Sequence, residues 1–183
     1  MTRYTVVVML ATILILTLSG CEVATTVKLR NGPSFALRGS GRLASFRIYA
    51  PRPGHKIATP FDTASLVWLI EPSGGYFEGE PVRRMHVVYG SVPTGYKQAV
   101  PSSSNAAPLP SGEVYYFLAE TTNAPPAAGF FYLDGSTPIE IKVPGLCQSG
   151  FVGDVKSLKC GSSEPYAEPN NLEQFVKENR IQK

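Results

Sequence analysis

Glycine and proline punctuate this chain, supplying 17 and 16 of its 183 residues. Between them the apolar residues come in short runs, many of them alternating with polar ones. An average globular helix needs about eleven residues without such breaks, whereas a strand needs only about five or six. The chain therefore reads as a series of short strands joined by turns. Its hydrophobic content of 43% is too high for a disordered chain, and its net charge of +3 is too small to point to nucleic acid.

Alternation or a continuous apolar run predicts strands at residues 25–30, 34–38, 43–50, 64–70, 82–89, 113–121, 129–133 and 138–143. Asn31-Gly32 marks the first turn. Pro33 lacks the amide hydrogen that closes a tight type I′ turn, so this turn is read as open. Gly39-Ser40-Gly41 predicts a hairpin between 34–38 and 43–50, and Phe46, Ile48 and Ala50 share one face of its second arm. ASLVWLI at 64–70 holds the only tryptophan, Trp68, and reads as a central strand buried on both faces. In 82–89, Met85, Val87 and Tyr89 point one way and Arg84 and His86 the other. Asp134-Gly135 is the clearest hairpin turn, while PSGGYFEGEP (72–81) and PSSSNAAPLPSG (101–112) are loops by composition. Near the end Asn171 suits a helix N-cap, Leu172, Phe175 and Val176 share a helical face, and Glu173 and Lys177 form an i,i+4 pair.

Seven to nine strands at roughly ten-residue spacing predict an all-β fold: a single β-sandwich with a short C-terminal helix. Leu109-Pro110-Ser111-Gly112-Glu113-Val114-Tyr115, followed by Phe117, Ala119, Thr121 and Asn123, narrows this further. The segment resembles the E–F corner of fibronectin type III domains, a branch of the immunoglobulin-like sandwiches. The resemblance implies that Tyr115 packs inward and that its hydroxyl bonds back to the backbone of the corner. It also implies that Trp68 matches the core tryptophan of the earlier sheet, with Met85 to Tyr89 on the strand after it. The likeness stops after Ala124, where Pro125-Pro126 replaces the expected turn, and a transthyretin-like sandwich or a small barrel stays open as an alternative.

The first twenty residues have a different character. Arg3 and the amino terminus are followed by YTVVVMLATILILTL, uncharged from Tyr4 to Leu18, and then by Leu18-Ser19-Gly20-Cys21. The apolar stretch is shorter than the ~20 residues of a spanning helix and has the layout of an export signal. LSGC resembles the lipobox of bacterial lipoproteins. That resemblance implies cleavage before Cys21 and acylation of its thiol, with each buried methylene adding about 0.8 kcal/mol of membrane affinity. Glu22 is not the aspartate that favours inner-membrane retention in that family, which leans the expected address towards the outer membrane. The expected organisation is a signal peptide at 1–20, a lipidated tether at 21–33, the sandwich at 34–145, and an extension with the helix at 146–183.

Two cysteines remain, Cys147 and Cys160, and an even remainder in an oxidising compartment is expected to form one disulfide, with two free thiols as the alternative. No metal site is expected: there is no C-x-x-C, and His55 and His86 lack ligand spacing. No nucleophile elbow, phosphate-binding loop, dinucleotide fingerprint or H-E-x-x-H occurs, so no catalytic residue and no cofactor are assigned. Two surfaces are left as candidates. Residues 23–61 carry no acid, and Lys28, Arg30, Arg38 and Arg42 lie close to the anchor. They could press the domain onto anionic head groups, or simply be solvated strand positions spread over several faces. Tyr76 and Phe77 either stand exposed as a binding tip or fold back over the end of the sandwich. The expected function is a lipid-anchored, non-catalytic binding or assembly module with an envelope protein as partner. The alternative is a cell-wall glycan-binding protein or hydrolase.

Overall fold

A computed structural model of the chain describes residues 23–103, 105–143 and 168–181. Cys21, Cys147 and Cys160, and with them the lipid attachment and the disulfide expected above, lie outside the described residues. The chain is an all-β sandwich of two antiparallel sheets with one short helix. The strands are β1 (Thr26–Arg30), β2 (Ser34–Arg38), β3 (Arg42–Tyr49), β4 (Leu66–Pro72), β5 (His86–Val88), β6 (Tyr96–Val100), β7 (Val114–Thr122), β8 (Ala127–Asp134) and β9 (Thr137–Ile141). The helix α1 spans Leu172–Asn179. One sheet has the order β1-β2-β5 and the other β6-β4-β3-β7-β8-β9. Three strands β1-β2-β5 facing a sheet centred on β3-β7-β8 is the A-B-E against C-F-G arrangement of an immunoglobulin-like sandwich.

The two sheets meet through one aromatic cluster. Phe35 of β2 stands 4.8 Å from Phe46, 5.5 Å from Phe117 and 5.6 Å from Phe131, ring centroid to centroid, and is fully buried. Trp68 lies at the edge of this cluster, its indole N–H donating to Gln98 Oε1 at 3.0 Å. The match to the core tryptophan of the earlier sheet is corrected: Trp68 stands in the same six-stranded sheet as Tyr115, two strands away, and not in the sheet of β1, β2 and β5. Tyr115 takes the role its resemblance implies. Its ring is buried against Phe131, and its hydroxyl donates to the Pro110 carbonyl at 2.7 Å.

A second cluster covers the opposite face of the six-stranded sheet. Tyr116, Leu118 and Phe130 pack there against Ile57 and Ala58 and against Val176 of α1. The strand buried on both faces is therefore β7, where eight of nine residues are buried. In β4 only one face is closed, because Trp68 and Ile70 are buried while Val67 and Leu69 stay half-buried. The expectation for 64–70 is corrected accordingly: a continuous apolar run does not say whether a second layer covers the strand.

Other expectations also need correction. Gly39-Ser40-Gly41 is not a hairpin; β2 and β3 belong to different sheets, and these residues carry the chain across. Gly41 fits only because it lacks a side chain, since a Cβ there would lie 2.8 Å from the Thr122 carbonyl oxygen. The stretch 82–89 is strand only over β5, with a 3-10 turn at Val82–Arg84. β6 was not anticipated, because Lys97 and Gln98 blur its alternation. The tether at 21–33 is also too long. Thr25 is buried, its N–H bonds to Pro125 O at 3.2 Å, and β1 pairs with β2 over five residue pairs. The first turn is not the open one expected: Asn31, Gly32 and Pro33 form a turn that closes the β1–β2 hairpin at the paired Arg30 and Ser34. Asp134 and Thr137 close the β8–β9 hairpin, and Asn171 caps α1 by accepting from Gln174 N at 3.0 Å.

Candidate binding surfaces

The loop between β4 and β5 is clamped at both feet. At one foot Ser73 N donates to Gly95 O at 2.9 Å. At the other the Tyr96 hydroxyl accepts from Glu80 N at 2.8 Å and donates to Leu43 O at 3.0 Å. Arg42 Nη1 donates to Gly79 O at 3.0 Å. Gly79 lies against β3 so closely that a Cβ would fall 1.9 Å from Leu43 O. Between these feet Gly75 adopts φ +117, and Glu78 N bonds to Gly75 O at 3.0 Å. The result is a tip at which Tyr76 is 54% and Phe77 76% exposed, their rings 5.1 Å apart and nearly perpendicular. Neither ring folds back over the core, so the two predicted residues form an exposed, pre-positioned pair.

The register of the strands places this tip at one end of the sandwich. β3 starts there at Arg42, which bridges to Pro81, and β4 ends there at Pro72. The β7–β8 turn and the β2–β3 crossing lie at the same end, where Val82 N bonds to Gly41 O at 3.0 Å. So does Val23. Its N–H donates to Ser40 Oγ at 3.0 Å and its carbonyl accepts from Ser40 N at 3.1 Å. The six large hydrophobic side chains exposed among the described residues include Val23, Tyr76 and Phe77, all three at this end.

The predicted basic residues divide. Lys28 and Arg30 of β1 and Arg38 of β2 are exposed, with Thr26, Ser34 and Ala36 in register beside them on the outer face of the three-stranded sheet. His86 pairs with Ala36 on the same face. None of the three cations has an ion-pair partner among the described residues, whereas Arg47, Arg52, Lys56 and Lys97 each face a carboxylate. Arg42 does not join them; it is spent on the foot of the aromatic loop. The small side chains of Ser34 and Ala36 leave a shallow groove between Lys28, Arg30 and His86.

Sequence reasoning missed one pairing, the contact of Ser34 Oγ with His86 Nε2 at 3.1 Å. No local pattern could reveal it, because 52 residues separate the partners. No carboxylate among the described residues orients the imidazole, and the groove is open to water. His55 lies 3.7 Å from Glu168, but both are partly exposed on loops. No group of three metal-binding side chains occurs among the described residues. The large pKa displacements are structural: burial pushes the hydroxyls of Tyr115 and Tyr116 far above the usual tyrosine range. The Arg52 guanidinium and the Ser65 hydroxyl hold the Asp62 carboxyl well below the usual carboxylate range. No helix among the described residues is long and apolar enough to cross a membrane. No protein-family model, curated protein or solved structure matches the chain.

Proposed function

We propose that this chain is a lipid-anchored cell-envelope protein, tethered through Cys21 at the outer membrane, that acts as a non-catalytic binding or assembly module. The observation that carries the binding role is the outer face of β1 and β2. Lys28, Arg30 and Arg38 stand along that face, Arg38 opposite Thr26 and Arg30 opposite Ser34, unpaired among the described residues and uncovered by any described element. Such a face is complementary to an acidic partner surface and speeds encounter with it. The two-sheet body with its clamped loops holds that face rigid, which limits the entropy lost on binding.

The leader and the clamp on Val23 support the anchoring. Only Glu22 separates Val23 from Cys21, and the two residue steps between them span at most about 7 Å. An acylated Cys21 would hold the β2–β3 end of the sandwich against the bilayer. Arg30 is four strand residues beyond Thr26, about 13 Å further out. End-on seating therefore turns Lys28 and Arg30 towards the aqueous compartment and leaves Arg38, opposite Thr26, nearer the bilayer, which fits a protein partner better than a lipid surface for the far part of that face.

The test is affinity capture of the native protein from membranes, paired with intact mass spectrometry. Acylated Cys21 as the first residue, and one stoichiometric envelope partner that is lost when Lys28, Arg30 and Arg38 are replaced by serine, are the expected results. An unmodified sulfur with the leader attached would end the anchoring. Recovery of cell-wall glycan alone, held by the exposed Tyr76 ring, would favour the glycan-binding alternative.

A further inference from the structure

We infer that the Tyr76–Phe77 tip is a second membrane contact, inserted at the bilayer interface beside the lipid on Cys21. The inference rests on the anchoring proposed above and names what the aromatic pair binds. Three observations carry it. The tip and the exit of the chain towards Cys21 lie at one end of the sandwich, joined through Val23–Ser40, Gly41–Val82 and Arg42–Pro81. The covalent link from Val23 to Cys21 is too short for that end to stand away from the surface. Phe77, Tyr76 and Val23 are large apolar groups that this end leaves in solvent.

The chemistry of the tip suits an interface. An aromatic ring pair with a phenolic hydroxyl sits favourably where hydrocarbon gives way to head groups. The apolar area removed from water contributes roughly 25 cal/mol per Å². Charges on the tip loop are mostly held within the protein, although Arg38 and Arg83 stand exposed at the same end. Lys97 faces Glu71 at 3.1 Å, Arg42 is bonded to the loop itself, and Glu78 folds back over Gly74. The contribution of the two rings themselves is therefore apolar. Because the feet are fixed by Gly79 and Tyr96, insertion needs no rearrangement of the loop.

The experiment uses the full lipidated protein carrying Phe77→Trp, reconstituted in phosphatidylcholine vesicles with bromine on the acyl chains. Trp68 is buried in the core and is the internal reference. The expected result is loss of most of the emission added by the substitution, a blue shift of that emission, and no change in the Trp68 signal. The same quenching is expected when phosphatidylglycerol is added or salt is raised. Vesicles that carry the protein through flotation but leave the added emission unquenched would overturn the tip contact while the anchor stands. Failure to float, with no acyl group on Cys21, would overturn the anchor and the tip contact together. Quenching in the unlipidated Cys21→Ser protein at much higher vesicle concentration would support the contact as an independent one.

Discussion

Replacing Tyr115 by phenylalanine removes one oxygen from the sandwich and leaves its ring in place against Phe131. The oxygen donates to Pro110 O at 2.7 Å and lies 3.1 Å from Glu113 Oε2. A neutral hydrogen bond contributes about 0.5–1.5 kcal/mol net, and a buried carbonyl left without a donor costs about 1–3 kcal/mol. Pro110 is exposed, so water can reach its carbonyl and the larger penalty does not apply in full. The expected loss is about 1–1.5 kcal/mol. For a body of this size that lowers Tm by roughly 3–6 °C. Urea unfolding of the unlipidated mature protein, followed by Trp68 emission, should show a lower midpoint with an unchanged slope. Tyr132→Phe, at a half-exposed ring, is the control. A shift no greater than that of the control would refute the corner bond as a source of stability.

Phe35→Ala removes the ring that joins the two sheets and should cost about 3–5 kcal/mol in urea unfolding; a loss near 1 kcal/mol would show that the cluster can collapse. Gly79→Ala forces a methyl group into the Leu43 carbonyl and should destabilise by more than about 2 kcal/mol, with altered amide exchange at Leu43 and Glu80. In alkali the sign follows from Tyr49, Tyr89, Tyr96, Tyr115 and Tyr116, whose hydroxyls burial raises above the ordinary value. The unfolded chain ionises near about pH 10 while the folded one stays neutral, so stability is full below that pH and falls above it, measurable as a declining Tm. The triple replacement of Lys28, Arg30 and Arg38 by serine should change stability by less than about 0.5 kcal/mol yet abolish salt-sensitive partner capture. If those three residues instead govern binding of the unlipidated body to anionic vesicles, the basic face is a membrane face and end-on seating is wrong.

The corner at Tyr115 was legible because it is local: a leucine, a Pro/Gly turn and a tyrosine within seven residues fix each other's geometry. The β8–β9 hairpin and the cap at Asn171 were legible for the same reason. The Gly39–Gly41 segment misled because a turn and a sheet-to-sheet crossing use the same residues. Only the position of Thr121 and Thr122, some eighty residues on, distinguishes them. The exposed tip was named from its composition. Its neighbours were not, since Val23 and Ser40 come from other parts of the chain.

By itself the sequence determined the period of the strands, the turn chemistry and the leader that ends in Cys21, because each depends on residues a few positions apart. Tertiary structure alone decided which strands pair, that Lys28, Arg30 and Arg38 share one outer face while Arg42 departs, and that the aromatic tip shares an end with the chain's exit. Those outcomes depend on pairings between strands, from the β1–β2 hairpin to contacts tens of residues apart. In a strand a shift of one residue or a change of sheet turns every side chain to another face.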